Sequence, residues 1–411
     1  MKNTIFQCEV LKWERKEETI RNISGNILKT LFRHQKSSRT RISKSLKITP
    51  ATITNMISYL VAENKVIETG DEVRDYIGSG RSRRLITVNS QYRHYIGIEI
   101  NANGIYLAVT DTIGNLIKNS NIKITEYDSK KINEIIIQLV TETLEKFSYL
   151  EFGALGIAVP GHFDSKSGHI ISNNVKWIYF DLAVIKESIS IPIFLENNIN
   201  CMAIGAYLFH PESSPEQFLF IHIGPGLFCS FFDSEHILQN KNFYIGEIGH
   251  TVVDLNGPSC ECGKRGCLQT YISDTWLINN ARFLFENVQG SIIKTLVEKP
   301  EDITLDVVYN AYRLGDGFII EKIESGIDFL ATSIANTLVI YDSKKIFINS
   351  QLLNYPGFSE KVNNLVDNQL QFIPSKNNLD IKFLSFNIFR GAIGAASLAV
   401  YNHFILENNS N

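Results

Sequence analysis

The sequence predicts an α/β protein that carries a winged helix-turn-helix at its N-terminus. Helical periodicity followed by two strand-like runs fills the first 90 residues, and alternating strand and helix patterns follow from Tyr95. Lys and Arg outnumber Asp and Glu by 18 to 9 in residues 1–94 and are outnumbered 22 to 34 in the rest. A basic head on an acidic body is typical of a nucleic-acid-binding module attached to a second function. A solvated basic face without a partner is the alternative.

Length and composition indicate more than one folded domain. The 411 residues are enough for two or three domains, and 44% hydrophobic content is ordinary for proteins with buried cores. No apolar run reaches the roughly 18 residues of a membrane helix, and residues 1–19 alternate charged with apolar residues, unlike a signal peptide. Six cysteines, three of them in one cluster, suit a reducing compartment. We therefore expect a cytoplasmic protein with no membrane partner.

Residues 21–62 predict three helices. The first covers 21–35 and the second 40–46, and Thr49 is a suitable N-cap for the third. The third helix places a small, polar face opposite an apolar stripe of Ile53, Met56, Ile57, Leu60 and Val61. This pattern predicts a helix-turn-helix whose last helix enters a DNA major groove, although an ordinary helical hairpin has the same periodicity. We expect DNA contacts from the start and polar face of this helix, namely Pro50, Ala51, Thr52, Thr54 and Asn55.

Two strands and an arginine-rich loop follow these helices. Residues 66–70 and 85–88 predict the strands of a wing, and the Gly/Ser-containing stretch 78–84 lies between them. Such a loop cannot bury a core, but its arginines can insert into a narrow minor groove or contact phosphates. We expect further DNA contacts from Arg81, Arg83 and Arg84.

The remainder of the chain alternates between strand and helix patterns. The predicted elements are a strand hairpin (95–100 and 105–110), an amphipathic helix (131–148), a buried strand (155–160), a strand running into a helix (191–209), a strand (218–224) and a closely packed helix rich in small residues (391–400). Alternation of this kind predicts mixed sheets with covering helices in two lobes.

The stretch 246–269 concentrates candidate metal ligands. It contains one histidine and three cysteines, and the glycines in it permit the positive φ angles of a tight loop. His and Cys are the preferred ligands of zinc, and structural zinc sites have four ligands in a tetrahedron. A disulfide with one thiol left over, or three buried cysteines beside an unrelated histidine, would also fit the sequence. We predict a zinc ion held by His250, Cys260, Cys262 and Cys267.

The order Glu-x-Gly-His followed by Cys-x-Cys-Gly-x-x-Gly-Cys resembles the signature of the ROK family, which joins sugar-responsive repressors to sugar kinases. The N-terminal pattern resembles the winged helix of ROK repressors, which ROK kinases lack. The resemblance implies a two-lobed, actin-like, sugar-kinase-like body in which zinc supports the loop that contacts the sugar. The sugar contacts that it implies are Asn197, Asn198, Glu247, His250 and Gln269. Alternatively, Glu247 and Gln269 only support the zinc ligands.

Departures from the motifs of ROK kinases predict a body without catalytic residues or enzyme activity. Asn198 corresponds to the aspartate that accepts the proton of the sugar hydroxyl in those kinases, and an amide cannot accept a proton at neutral pH. Residues 99–103 correspond to a glycine-rich phosphate turn but contain no glycine. A second such turn keeps Gly224 and Gly226 but has Phe228 where backbone would approach phosphate.

With the basic head, the resemblance predicts a transcriptional repressor of sugar-utilisation genes that a bound sugar modulates, with xylose as the first candidate. The expected partners are a double-stranded DNA operator and further copies of the chain, as a homodimer or homotetramer. We expect the head over 1–90, a first lobe over 91–205 with 391–411, and a second lobe with the zinc loop over 206–390. A sugar kinase with a DNA-binding head, a regulator controlled by a partner protein, and a DNA-binding scaffold without an effector are the alternatives.

Overall fold

A computed structural model of the chain describes residues 2–73, 83–124, 128–164, 169–171, 177–237, 246–372 and 379–407. The helices are α1 (Lys2–His34), α2 (Arg39–Leu46), α3 (Pro50–Ala62), α4 (Ile132–Lys146), α5 (Leu182–Ser188), α6 (Asn198–Phe209), α7 (Gln269–Ile272), α8 (Asp274–Asn287), α9 (Ile293–Leu296), α10 (Leu305–Arg313), α11 (Gly317–Ile340), α12 (Phe358–Gln369) and α13 (Arg390–Ala399), which continues as a π-helix (Val400–Ile405). The strands are β1 (Val66–Val73), β2 (Arg83–Val88), β3 (His94–Asn101), β4 (Gly104–Asp111), β5 (Leu116–Ile122), β6 (Phe152–Val159), β7 (His162–Asp164), β8 (His169–Ile171), β9 (Ile193–Asn197), β10 (Gln217–Ile223), β11 (Leu227–Asp233), β12 (Lys345–Ser350) and β13 (Asp380–Leu384).

These elements form two compact units. The first comprises Met1–Ser214 and Phe389–Asn411, and the second comprises Pro215–Ile388. The first unit therefore contains the N-terminal head, a five-stranded sheet and α13, and the second contains a four-stranded sheet with its own helices.

The head begins with α1, α2 and α3, and the antiparallel strands β1 and β2 complete it. Helix α2 ends at Leu46, and its C-cap residue Lys47 has a left-handed φ of +54°. Thr49 caps α3 by accepting a hydrogen bond from the Thr52 N–H (3.3 Å). The predicted cap, turn and wing strands are confirmed. Two details of the prediction are wrong. Helix α1 begins at Lys2, far before residue 21. The apolar stripe of α3 is only partly buried, since the exposed fraction of Val61 is 38%. The buried core of the head includes Ile27, Leu28, Leu31, Ile42, Ile53, Ile57 and Leu60 from the helices and Val66 and Ile86 from the wing strands.

The sheet of the first unit has the order β5-β4-β3-β6-β9. Strands β3, β4 and β5 are antiparallel neighbours, whereas β6 runs parallel to both β3 and β9. Helix α13 packs directly on this sheet because glycines replace side chains there. A Cβ atom on Gly97 would lie 1.9 Å from the Ala392 oxygen, and one on Gly156 would lie 1.8 Å from the Ala395 oxygen. The strands and helices that the sequence predicts here are confirmed.

The sheet of the second unit has the order β11-β10-β12-β13, with β10, β12 and β13 parallel. Its core includes apolar side chains of α8, α10, α11 and α12. Among the described residues, only α11 is long and apolar enough to cross a membrane by length and composition. Glu321, Lys322 and Glu324 interrupt the apolar pattern of this helix, so the sequence contains no continuous apolar run of membrane-spanning length here. The buried face of α11 belongs to the core of the unit.

Candidate functional site

The cysteine-rich loop of the second unit leads from the 3₁₀ turn Ile248–His250 to α7. Two isolated β-bridges fold it back on itself, between Val252 and Cys267 and between Ser259 and Arg265. The predicted glycine conformations are present: φ is +87° at Gly263 and +65° at Gly266. A Cβ atom on Gly266 would lie 1.5 Å from the Asp254 carbonyl oxygen, so this turn requires glycine.

The four predicted metal ligands converge, and their nitrogen and sulfur atoms all lie within 4.8 Å of one another. Cys260 Sγ is 3.5 Å from His250 Nδ1, and Cys262 Sγ is 3.6 Å from Cys267 Sγ. A tetrahedral zinc ion, with bonds of about 2.3 Å to sulfur and 2.0–2.1 Å to nitrogen, implies edges of about 3.8 Å between sulfurs and about 3.6 Å between sulfur and nitrogen. The thiols are free, and the sulfur separation is far beyond a disulfide bond of about 2.05 Å. The group can therefore hold a metal ion.

The thiols of the cluster differ in their readiness to lose a proton. Burial and the neighbouring Cys262 and Cys260 thiols raise the pKa of Cys267 to about 12. Burial also acts to raise the pKa of Cys262, but hydrogen bonds from the Lys264 N–H and the neighbouring thiols outweigh it, and the net direction is downward. Metal binding to this cluster must release a proton from the buried Cys267, since thiolates are the ligating form.

Two expected sugar contacts lie beside these ligands. Glu247 Oε2 is 3.9 Å from His250 Nε2, the ring nitrogen that faces away from Cys260. Gln269 Nε2 donates to Cys260 Sγ (3.4 Å) and to Glu261 Oε1 (3.2 Å). Its Oε1 atom is buried and, among the described residues, has no hydrogen-bond partner. The Gln269 amide thus donates to the sulfur of a candidate metal ligand, and its oxygen is free to accept from a donor such as a hydroxyl.

The other expected sugar contacts lie in the first unit, where β9 meets α6. Asn197 caps α6 by accepting from the Ile199 N–H (2.9 Å), and its Nδ2 donates to the Gly161 oxygen. Asn198 hydrogen-bonds Glu99 at the end of β3, and Asn101 hydrogen-bonds the same carboxyl. Burial raises the pKa of Glu99 to about 7, against the opposing effect of these two hydrogen bonds. Glu99 was predicted only as part of the stretch 99–103 that corresponds to a phosphate turn. Its role as a buried carboxyl beside Asn198 was not predicted, although a charged residue within the apolar run of β3 was a signal for it.

The turn that contains Gly224 and Gly226, in the second unit, is covered by side chains of the same unit. A Cβ atom on Gly224 would lie 2.7 Å from His222 Nε2, and one on Gly226 would lie 2.8 Å from the Phe228 ring. The Gly224 N–H donates to the Gly226 oxygen (2.9 Å), so it is not directed at a ligand. The Asp274 N–H donates to the Gly224 oxygen (2.8 Å), and burial raises the pKa of the Asp274 carboxyl to about 7. A turn of this kind presents little to a phosphate group.

Helix α3 exposes the face that the sequence predicts for DNA. Pro50, Ala51, Thr54 and Asn55 are exposed, and Thr52 is partly exposed. The Thr54 hydroxyl donates to the Pro50 oxygen (2.8 Å), which directs the hydroxyl back to the helix. Base contacts at this position would therefore involve the threonine methyl group.

The three predicted wing arginines have different outcomes. Arg81 and the side chain of Arg83 lie outside the described residues. Arg84 pairs with Glu68 (3.0 Å), which also pairs with Arg39 (3.0 Å). Hydrogen bonds from Arg84 and Arg39 lower the pKa of Glu68. Arg84 is 67% exposed, so an exposed ion pair of this kind can exchange for a phosphate.

Comparison with known proteins identifies the body. The family model described as the ROK family matches residues 95–401. The chain belongs to the ROK family. This confirms the resemblance and, with the solved structures below, the predicted fold class: α/β, with an N-terminal winged helix-turn-helix and an actin-like, sugar-kinase-like body.

ROK relatives of both kinds are similar to this chain. The xylose repressor of Caldicellulosiruptor bescii is 26% identical over 366 residues, which cover 87% of this chain and 90% of the repressor. The glucokinase of Halalkalibacterium halodurans is 26% identical over 268 residues, which cover 62% of this chain and 79% of the glucokinase. A crystal structure of a ROK family transcriptional regulator, a homolog of the E. coli MLC protein, has a TM-score of 0.74 at 21% identity and covers 94% of this chain and 98% of that chain.

The ROK regulator and the ROK glucokinase match different shares of this chain. A match to 94% of 411 residues omits too few residues to leave out the head, whereas a match to 62% can omit it entirely. The body alone therefore does not distinguish repressor from kinase at this level of identity. The head and the chemistry of the kinase-like positions carry the distinction.

Proposed function

We propose that this ROK protein is a transcriptional repressor of sugar-utilisation genes, in which the head binds operator DNA and the body binds a sugar without phosphorylating it. The observation that carries the proposal is the helix-turn-helix with an exposed polar face on α3, joined to a body of the ROK family. The xylose repressor that resembles the chain over both parts supports the same function.

The head would recognise DNA through α3 in the major groove. Asn55 is exposed and can make a bidentate contact with adenine, and Thr52 and Thr54 can contact thymine methyl groups. Arg81, Arg83 and Arg84 would add contacts to phosphates or the minor groove. One winged helix buries too little surface for high specificity, so we propose that a homodimer or homotetramer binds a palindromic operator in the cytoplasm.

The sugar would contact Asn197, Asn198, Glu247, His250 and Gln269. The orphan Oε1 atom of Gln269 supports this role, because a buried acceptor without a donor is costly and a sugar hydroxyl would satisfy it. We propose zinc as the metal of the four-ligand cluster: it would fix the loop that carries Glu247 and His250 as a structural ion. Xylose is the first sugar to test because a similar protein is a xylose repressor.

Catalytic inactivity is part of the proposal. Asn198 offers no base to the sugar hydroxyl, and the covered glycine turn offers little to ATP. The glucokinase that resembles the body favours the rival function, a sugar kinase that carries a head.

The test begins with fragments of genomic DNA selected on the purified full-length protein. Fluorescence anisotropy then measures the affinity for the selected fragment with and without xylose, glucose and N-acetylglucosamine, and a coupled assay measures ATP consumption with the same sugars. We expect a specific fragment, an affinity that one sugar changes several-fold, and no ATP consumption. Absence of specific DNA binding would refute the repressor, and sugar-dependent ATP consumption would establish the kinase.

A further inference from the structure

The head contacts the body at the end of α6, within the first unit. Arg33, in the last turn of α1, donates from Nη1 to the Pro211 oxygen (3.2 Å) and to the Ser214 oxygen (2.5 Å). Its guanidinium also lies over the Tyr207 ring, 4.9 Å from the centroid. Tyr207 belongs to the last turn of α6, and the two carbonyl groups belong to the turn that follows. One arginine of the DNA-binding head therefore binds the C-terminal end of a body helix through three groups.

The opposite end of α6 carries residues of the proposed sugar site. Asn197 is the N-cap of α6, and Asn198 is its first residue. Asn198 hydrogen-bonds Glu99, which is only 3% exposed. A hydroxyl group that binds Asn198 would compete with this hydrogen bond or rearrange it. A change at the sugar site thus acts directly on the N-terminal end of α6.

Helix α6 can transmit a displacement because it is buried along its length and tightly packed. Its twelve residues span about 18 Å, and from Cys201 to Leu208 every residue is buried. It packs on α13 at glycine, where a Cβ atom on Gly394 would lie 2.4 Å from the Cys201 oxygen. Closely packed helices move as rigid bodies and shift between discrete arrangements instead of deforming.

Helix α13 and its π-helical extension give the head a second contact with the body, and this helix also begins beside Glu99. A Cβ atom on Gly391, at the start of α13, would lie 2.1 Å from Glu99 Cδ, so the Glu99 carboxyl touches the first turn of this helix too. At the other end, Phe404 packs edge-on against Phe32 of α1, and Glu407 pairs with Lys65 of the head (2.5 Å). Both helices therefore lead from the surroundings of Glu99 to the head.

We propose that Arg33 couples the sugar site to the DNA-binding head by binding the C-terminal end of α6, so that a shift of α6 at Asn198 moves α1 and, with it, α2 and α3. This inference deepens the proposed function and rests on it for the identity of the ligand. The coupling itself is a property of the first unit. A purely structural anchor would hold the head in place without responding to changes at Asn198.

The experiment is a double-mutant cycle on the full-length chain, read by amide hydrogen exchange. Asn198→Ala removes one hydrogen bond at the N-terminal end of α6, and Arg33→Met removes the guanidinium while keeping an unbranched side chain. Arg21→Met is the matched control, because Arg21 lies on the same helix twelve residues, or about 18 Å, before Arg33. Exchange is measured over α6 and over residues 27–46 of the head in each single and double variant. If circular dichroism shows that Asn198→Ala does not fold, Asn198→Ser takes its place.

We expect Asn198→Ala to raise the exchange of head amides at least about five-fold, the lower end of ordinary allosteric coupling. With Arg33→Met, this response of the head should fall by more than half while α6 still responds, and with Arg21→Met it should persist. An equal response of the head with and without Arg33, or no response in the presence of Arg33, would overturn the proposal. Neither DNA nor sugar takes part in the cycle, so failure of the proposed function would show separately as absent DNA and xylose binding.

Discussion

The buried carboxyl of Glu99 makes a quantitative prediction about stability. Burial raises its pKa from 4.5 to about 7 in the folded chain. A tenfold change in a proton equilibrium corresponds to about 1.4 kcal/mol, so ionised Glu99 costs the fold about 3 kcal/mol relative to the protonated form. The pKa of Glu99 is higher in the folded chain than in the unfolded chain, so its protonated carboxyl contributes to the free energy of unfolding. This contribution is fully present below about pH 4.5 and is lost as the pH rises through about 7.

Glu99→Gln removes this titration and keeps a side chain of the same shape. The variant should therefore gain about 3 kcal/mol of unfolding free energy relative to the wild type between about pH 4.5 and 8. Altered hydrogen bonds with Asn101 and Asn198 shift the difference between the two proteins by an amount that is nearly independent of pH. The slope of this difference with pH is consequently the diagnostic quantity.

The assay is urea denaturation across this pH range, followed by the fluorescence of Trp177, which is buried in the core of the first unit. Replacing Trp13 and Trp276 by Phe in both proteins confines the signal to that unit. Titration of all other groups cancels in the comparison. A difference in unfolding free energy that stays constant with pH would refute the argument that Glu99 is a buried carboxyl with a raised pKa.

Three further predictions concern the metal, the packing and the head. Elemental analysis should find about one zinc per chain. Cys262→Ser should lower the metal content and the Tm together. Equal Tm values with and without a chelator would contradict a structural metal. Gly394→Ala should lower the unfolding free energy by about 1–3 kcal/mol, measured by urea denaturation, because the new Cβ would lie 2.4 Å from the Cys201 oxygen; an unchanged midpoint would show that α13 can move away. Arg81→Ala combined with Arg83→Ala should weaken DNA binding and reduce its dependence on salt concentration without changing the zinc content. Anisotropy titrations at several salt concentrations measure both effects. Unaltered affinity would show that the wing does not contact DNA.

Local chemistry made much of the fold predictable from the sequence. Thr49 and Pro50 specify the start of α3. The Thr49 hydroxyl is suited to the N-cap position, and the fixed φ of Pro50 is suited to the first helical position. The ligands of the cysteine cluster are close in sequence, so spacing and residue type were enough to predict their convergence. Short-range preferences of this kind do not depend on the rest of the fold.

Interactions between distant segments were not predictable in the same way. Nothing in the neighbourhood of Arg33 indicates that it binds the Ser214 oxygen 181 positions away. The helices between residues 270 and 390 had no predicted counterparts, and α11 shows why: charged residues interrupt its apolar pattern, and only packing reveals which face is buried. Arg84 was predicted to contact DNA, but its pairing with Glu68 depends on the register of β1 and β2.

The position of α13 has a consequence for synthesis in the cell. Its residues close the core over β3 and β6, yet the ribosome reaches them only after translating all of Pro215–Ile388. At about 5–20 residues per second this interval lasts roughly 10–35 s. During that time the glycine-lined faces of β3 and β6 are not covered by α13, so the nascent chain offers chaperones a binding surface until α13 emerges.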